Sequence, residues 1–418
     1  MSETVDTTEP LETLLSTVGN DRWAWLRAGT AVAAVGWGAN QFAPMLLVYR
    51  SQLGVSSATV EAMFGMYALG LIPGLLVCGP LSDRLGRRPI MLAALLASVL
   101  ATVMIIAGSA VTGLLFAGRL VAGIASGAAF SSGAAWIKEL SVAGGAGSGP
   151  RRVTVTMTAG FGAGPLVAGL VAQCALSPMG SPMVLPYLPH LLLLAAAIAL
   201  VLRTPETRTR GRRPETAGGR SLAELRSPRF RGVVLPLAPW VFGSASIGLA
   251  YLPGLVSGRL GAAALAFTAV VTMLTALAGI LVQPLARRID VPGSVRLLAV
   301  SSSLVVGGVL VSALAASTSS VPVVVAAILA LGAGYGSCQV YGLQEIQRLA
   351  RAESLAGLTA VYQATSYLGL ALPFPLAAAA RLAPPWALLL GVAGLAAVTL
   401  GWTVHRARAT APGAPAQR

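Results

Sequence analysis

The chain has 418 residues, of which 56% are hydrophobic and 10% charged, and a net charge of +15. So few polar residues cannot coat a soluble globule of this size, which excludes a water-soluble enzyme or binding domain and leaves an integral membrane protein. The positive charge does not indicate nucleic acid, because the basic residues sit in short segments between apolar runs and never interleave with aromatic residues on a polar domain.

Residues 1–21 hold Glu3, Asp6, Glu9, Glu12 and Asp21 and no Lys or Arg, so they lack the basic start of a cleavable signal peptide and read as a disordered cytoplasmic tail. Apolar spans follow at about 24–50, 59–79, 90–110, 112–137, 153–175, 184–202, 232–256, 262–285, 295–317, 320–345, 355–380 and 385–405. Each is near the twenty residues that a helix needs to cross a bilayer. The expected fold is an all-α membrane protein of twelve helices. Its parts are an amino-terminal six-helix half over 22–202, a basic linker over 203–231, a carboxyl-terminal half over 232–406 and a short tail over 407–418. With the amino terminus inside, the internal segments carry 25 of the 29 Lys and Arg, while the outside has only Arg50, Arg259 and Arg381. This asymmetry places both termini in the cytoplasm of a cell whose plasma membrane the protein spans. Cys78, Cys174 and Cys338 lie far apart in apolar runs and read as small hydrophobic residues.

The linker has nine arginines, Pro205, Pro214 and Gly218-Gly219, and its stretch Ser221-Leu-Ala-Glu-Leu225 could make an amphipathic turn on the inner leaflet, although a solvated, orientation-setting linker is the plainer reading. A shift of 204 residues lays Pro80-Leu81 on Pro284-Leu285 and Arg84 on Arg288. This weak repeat supports two related halves, the second with Arg287 in the place of Asp83.

Charge is most concentrated in Gly79-Pro-Leu-Ser-Asp83-Arg84-Leu-Gly86-Arg87-Arg88, which reads as a short turn at the membrane surface between spans 2 and 3. This stretch resembles the GxLxDRxGRR signature of the major facilitator superfamily. In span 4, Arg119 with Gly123 and Gly127 looks like the RxxxG element of that family; in span 5, Gly160, Gly164, Pro165 and Gly169 are similar to its antiporter-associated GxxxGP motif, with Ala168 where a second glycine is usual. The chain is thus identified as resembling the twelve-helix drug:proton antiporter group used in multidrug efflux. The resemblance implies that Gly79, Asp83, Arg84, Gly86, Arg87 and Arg88 form a conformational latch. In it Asp83 would bond the amino end of helix 11 in the other half, and the arginines can pair with Glu139 or lipid phosphates.

The residues themselves say more. Arg119 cannot lose its proton and must face the bundle interior, with Gly123 and Gly127 leaving open space beneath it; a structural arginine on backbone carbonyls is the alternative. Glycines at 160, 164 and 169 allow close helix approach, and Pro165 permits a bend. Polar side chains within the spans are the candidates for a substrate cavity: Asn40 and Gln41, Trp240, then Tyr335 with Gln339 and Gln363 with Tyr367, each pair four residues apart. Interhelical bonding is as good an account of any single one. No acid falls near the midplane, so Glu61, Asp83 and His190 are weak candidates for proton coupling.

No HExxH, nucleophile elbow or phosphate-binding loop is present, and no enzyme activity, metal or cofactor is expected. The expectation is a monomeric secondary transporter working by alternating access, with the lipid bilayer, a small-molecule substrate and protons as its partners. It would export small amphiphilic compounds, neutral or weakly anionic. A symporter or facilitator importing a metabolite is the alternative, and a non-transporting sensor or assembly partner is a further one.

Overall fold

The computed structural model describes residues 23–142, 148–176, 181–207, 224–351 and 354–410. The tail at 1–21, most of the linker with the start of Ser221–Leu225, and residues 411–418 lie outside the described residues. All regular structure among the described residues is helical.

The helices are α1 (Ala24–Leu53), α2 (Ser57–Leu85), α3 (Arg87–Ala107), α4 (Gly113–Glu139), α5 (Ser148–Cys174), α6 (Leu185–Leu202), α7 (230–260), α8 (264–289), α9 (Arg296–Thr318), α10 (Val321–Leu349), α11 (355–379) and α12 (Pro385–Ala409). Ten stretches are long and apolar enough to cross a membrane. One of them, Phe230–Ile289, folds back at Gly261, whose φ of +50° suits only a residue without Cβ, and so crosses twice as α7 and α8. α11 crosses as two shorter helices, Leu355–Tyr367 and Pro373–Ala379, joined by the 3₁₀ turn Leu368–Ala371. Among the described residues the crossings therefore number twelve, as the apolar runs lead one to expect. They leave Trp23 and the end of α12 on one face, called here the terminal face.

Apolar side chains fill two cores, one built from α1–α6 together with Ala250, Leu265, Tyr367 and Leu370 of the second half, and one from α7–α12. Others, such as Leu192 on α6, Leu281 on α8 and Val398 on α12, point outward, which costs nothing against acyl chains. Within each half, glycines let backbones touch. A Cβ on Gly123 of α4 would lie 2.1 Å from the Tyr67 carbonyl oxygen of α2, and one on Gly336 of α10 would lie 1.8 Å from that of Gly279 on α8. Likewise a Cβ on Gly160 of α5 would meet the Ala33 oxygen of α1 at 2.2 Å, and one on Gly369 of α11 the Pro239 oxygen of α7 at 2.1 Å. One offset relates Gly123 to Gly332, Gly127 to Gly336 and Gly160 to Gly369, so the two halves repeat the same backbone contacts. The halves meet where α5 runs along α8 and α2 along α11.

The stretch Gly79–Leu85 is not a surface turn: it is the last two turns of α2. The reversal is confined to Gly86, at φ +107° and ψ 159°, and α3 begins at Arg87. One residue without Cβ suffices to turn the chain, so the helix can run on through Asp83.

Candidate functional site

Three of the described spans, α1, α7 and α11, have irregular backbone within their length. α1 breaks at Gln41, α7 contains the π-turn Ile247–Tyr251, and α11 contains the 3₁₀ turn at Leu368. Irregular backbone inside a bilayer is tolerated where protein or a cavity surrounds it, and such breaks gather at binding sites.

Arg119 stands next to the first break. It is 1% exposed, its Nη1 donates to the Ala39 carbonyl oxygen at 3.1 Å, and its guanidinium lies 4.6 Å from the Phe42 ring, 4.5 Å from Tyr67 and 5.8 Å from Phe64. Three ring faces and one carbonyl oxygen replace the water that the cation has lost. Its Nε has no acceptor. The open space expected beneath it is filled, because Gly123 and Gly127 press against the α2 backbone at Tyr67 and Leu75. Gly123 is thus a helix-contact residue and not a cavity residue.

Across the interface, α7, α10 and α11 bring together the residues that sequence spacing paired, with one addition. Phe242 stacks on Tyr367 at 4.2 Å between centroids and tilts against Tyr335 at 5.4 Å. Gln339 Nε2 donates to Gln363 Oε1 at 3.0 Å, while Gln339 Oε1 is buried and accepts nothing. Tyr367 packs into the core of the other half together with Tyr67. A continuous string therefore runs from Arg119 through Tyr67 and Tyr367 to Phe242 and Tyr335, with the two glutamines beside it. Phe242 and Tyr67 escape the sequence reading because neither carries an amide or charge in an otherwise apolar run.

Other candidates go elsewhere. Trp240 lines a small groove with Ser302, Val305, Ala396 and Thr399, so it faces α9 and α12 and not the middle. Phe242, two residues on and about 200° around the helix, takes the inward direction instead. Gln41 is 1% exposed and holds a structural network. Trp37 Nε1 donates to Gln41 Oε1 at 3.1 Å, and the Gln41 amide nitrogen lies 2.9 Å from His190 Nδ1. An indole nitrogen can only donate, so the amide orientation is fixed, Nδ1 is an acceptor, and His190 Nε2 donates to the Ala34 carbonyl oxygen at 3.0 Å. Gly38 makes room for this ring. His190 and Gln41 are thereby committed to tying α1 to α6, while Asn40 is half-buried.

Gly160 and Gly164 of α5 meet the backbone of Ala33 and Trp37, and Gly169 meets Ala269 of α8 in the other half; Pro165 lies inside the helix between these contacts.

The motif arginines form a network at the terminal face. Arg87, 5% exposed, pairs with Asp83 at 2.7 Å and Glu139 at 2.8 Å and donates to Ser82 Oγ at 2.7 Å. Glu206 accepts from the backbone N–H groups of Arg87 and Arg88 at 2.9 and 2.8 Å, an anion on the positive end of α3. A Cβ on Gly86 would come 2.7 Å from that carboxylate. Arg88 donates to the Leu202 carbonyl oxygen at 2.6 Å, Arg84 is exposed, and Gly79 lies against Ser131 of α4. Asp83 pairs with Arg87, the cation one helical turn away across Gly86, and near the start of α11 Glu224 Oε1 accepts from Ser354 Oγ at 3.2 Å.

The other half has a counterpart that the sequence hides: Arg348 bonds Asp290 and, at 2.9 Å, Glu345, which also pairs with Arg229 at 2.7 Å. Burial opposes the charge of Arg229, but the bond and charge of Glu345 outweigh it and raise its pKa. The arginine sits on α10 here and on α3 in the first half, which is why a position-by-position repeat misses it.

The model of the Major Facilitator Superfamily matches residues 28–374. The tetracycline resistance protein, class C, of Escherichia coli is 36% identical over 130 residues, covering 29% of this chain and 31% of that protein, so the chain matches about a third of the length of that relative. Two solved structures share the fold. A POT family transporter in complex with 5-aminolevulinic acid has TM-score 0.71 at 13% identity, and one with a thioalcohol conjugated peptide has 0.65 at 12%; each alignment covers 90% of this chain and 94% of the other.

Proposed function

Because this chain belongs to the Major Facilitator Superfamily, and so is a multi-pass membrane transporter and not an enzyme, we propose that it is an exporter of small amphiphilic compounds driven by proton exchange. The observation that carries the reading is the string between the halves, where Arg119, Tyr67, Tyr367, Phe242 and Tyr335 offer stacked rings and one buried cation, and Gln339 Oε1 waits for a donor. Such a site suits a planar, neutral or weakly anionic molecule with an N–H or O–H group, and repels a dication at Arg119. The halves would rock about it, exposing it to each side in turn.

The protein works as a monomer in the plasma membrane. Its terminal face is cytoplasmic, since Arg50, Arg259 and Arg381 are the only basic residues at the loops of the opposite face among the described residues. The partial likeness to a tetracycline resistance protein makes tetracycline, a fused-ring amphiphile, the first probe. The test is flux of tetracycline and a panel of neutral, anionic and dicationic dyes in vesicles, with and without an imposed pH gradient. Gradient-dependent export of the neutral and anionic members is expected. Equal rates with and without the gradient would sink proton exchange, preferential export of dications would sink the substrate class, and gradient-driven uptake would establish the importing symporter instead.

A further inference from the structure

Glu61 is the fifth residue of α2 and lies near the end of the bundle opposite the terminal face. It is 6% exposed, its Oε2 is buried with no hydrogen-bond partner, and among the described residues it has no ion-pair partner. The mechanism above does not use it. Its direction is set by Gly65, one turn on and on the same side of the helix, whose Cβ position is 3.4 Å from Ala371 Cα on α11. Glu61 thus faces the seam where the first half closes on the second, and Tyr251, in the π-turn of α7, is near enough to feel its charge.

The helices packed against α2 are α1, α3, α4, α7 and α11. Their groups leave the carboxyl uncompensated. On α1, Tyr49 bonds Tyr187 and Arg50 is exposed. On α4, Arg119 is spent on the Ala39 carbonyl oxygen and three rings, while Lys138 and Glu139 stand at the terminal face, as do Arg87 and Arg88 of α3. On α7 the group is Tyr251, with Arg259 exposed past it; on α11, Tyr362 donates to the Cys338 carbonyl oxygen and Tyr367 stacks on Phe242. Neither acidic partner nor cation is built in for the ionised form.

We propose that Glu61 is a proton-binding site of the outer seam: it holds a proton while the halves are closed there, and gives that proton to outside water when they part. An ionised carboxylate without a partner is not tolerated in a closed apolar contact, whereas the neutral acid is. Opening of the seam hydrates the group and favours loss of the proton; reclosure requires its return. Because the proton leaves to outside water and returns from it, Glu61 carries none across the bilayer; it makes closing of the outer gate depend on the proton concentration outside. This rests on the reading of two rocking halves, not on the identity of the substrate.

The test is pulsed electron–electron distance measurement on protein in lipid nanodiscs, with Cys78, Cys174 and Cys338 replaced by serine and spin labels at Gln52→Cys and Arg259→Cys, both exposed at the outer rim. Between about pH 5 and pH 9, the parent should shift from a short to a long distance. Glu61→Gln should lose this transition and stay closed, and Glu61→Asp should keep it with a displaced midpoint. A Glu61→Gln variant that opens at the parent midpoint, or a parent whose distance ignores pH, would overturn the proposal. Tetracycline flux is measured on the same variants. Failure of the parent to move any probe counts against export and leaves the distance test standing; gradient-driven export undiminished in Glu61→Gln counts against Glu61 alone.

Discussion

The glycine contacts yield a prediction in which each half serves as a check on the other. In Gly123→Ala the new methyl would lie 2.1 Å from the Tyr67 oxygen, and in Gly336→Ala 1.8 Å from the Gly279 oxygen. Both neighbours are helix backbone, so neither can rotate away. A carbon–oxygen contact relaxes only near 3.3 Å, so α2 and α4, or α8 and α10, must separate by about 1 Å, and neighbouring side chains lose contact along the seam. Overpacking of this kind costs about 1–3 kcal/mol, against about 0.5–1 kcal/mol gained from alanine in a helix interior. Gly391→Ala on α12 supplies the reference, because nothing lies within 4 Å of its Cβ position. That variant keeps the gain and has no clash. Thermal unfolding in detergent, followed by loss of the monodisperse peak, should place Gly123→Ala and Gly336→Ala several degrees below Gly391→Ala, at about 2 °C per kcal/mol. All three unfolding together would refute the backbone contacts and the pseudo-symmetry argued from them.

Three further outcomes follow from the charge networks and the central site. Asp83→Asn should abolish transport while leaving expression and substrate binding largely intact, as flux and equilibrium dialysis would show, because it removes a charge from Arg87 without removing the side chain; wild-type flux would refute the latch. Glu206→Ala removes the anion that accepts both N–H groups at the start of α3 and should destabilise the protein by about 1 kcal/mol, read as a lower unfolding temperature. Phe242→Leu keeps most of the volume but loses the stack on Tyr367, so affinity for an aromatic probe should fall by about tenfold, near 1.4 kcal/mol, whereas Trp240→Leu, directed at α9 and α12, should leave affinity unchanged. Equal losses in the two variants would remove Phe242 from the site.

The twelve crossings were legible because a bilayer imposes one strong requirement, length of apolar sequence, and twelve runs of this chain come near it. Gln339, Gln363, Tyr335 and Tyr367 were legible as pairs because a polar group within a span needs company and four-residue spacing gives it a common face. The same rule misdirected at Gln41, since an amide can be satisfied inside one half by Trp37 and His190 as readily as at a cavity. Trp240 failed for a different reason: with a lipid-facing groove outside and a site inside, helical periodicity gives two faces and no sign. Gly123 was read as space, and space between helices is what a neighbouring backbone takes. Arg348 and Asp290 stayed hidden because their partners are 58 residues apart and belong to no motif.

The two charge networks and the two seams have different tasks, and the difference bears on how the halves could move. Asp83, Arg87 and Glu139 tie α2, α3 and α4 to one another, and Thr207 and Trp136 tie the start of the linker to the same group through Glu139 and the Pro205 carbonyl oxygen. Asp290, Arg348 and Glu345 tie α8 to α10, and Arg229 ties the end of the linker to them. Each of these bonds joins elements of one half or its adjoining stretch of linker. Between the halves the close contacts are of another kind: Gly169 on Ala269 along α5 and α8, and Gly65 on Ala371 along α2 and α11. Buried or half-buried ion pairs lose much of their energy when a partner is withdrawn, so they resist relative motion of the elements they join. Small apolar residues present a smooth surface, crossed at α5 and α8 by the Ala266 N–H bond to Gln173 Oε1 at 3.3 Å, and in a bilayer no hydrophobic cost attaches to separating them. The ionic ties therefore stiffen each half as a body, and the glycine and alanine seams are where one body can tilt on the other.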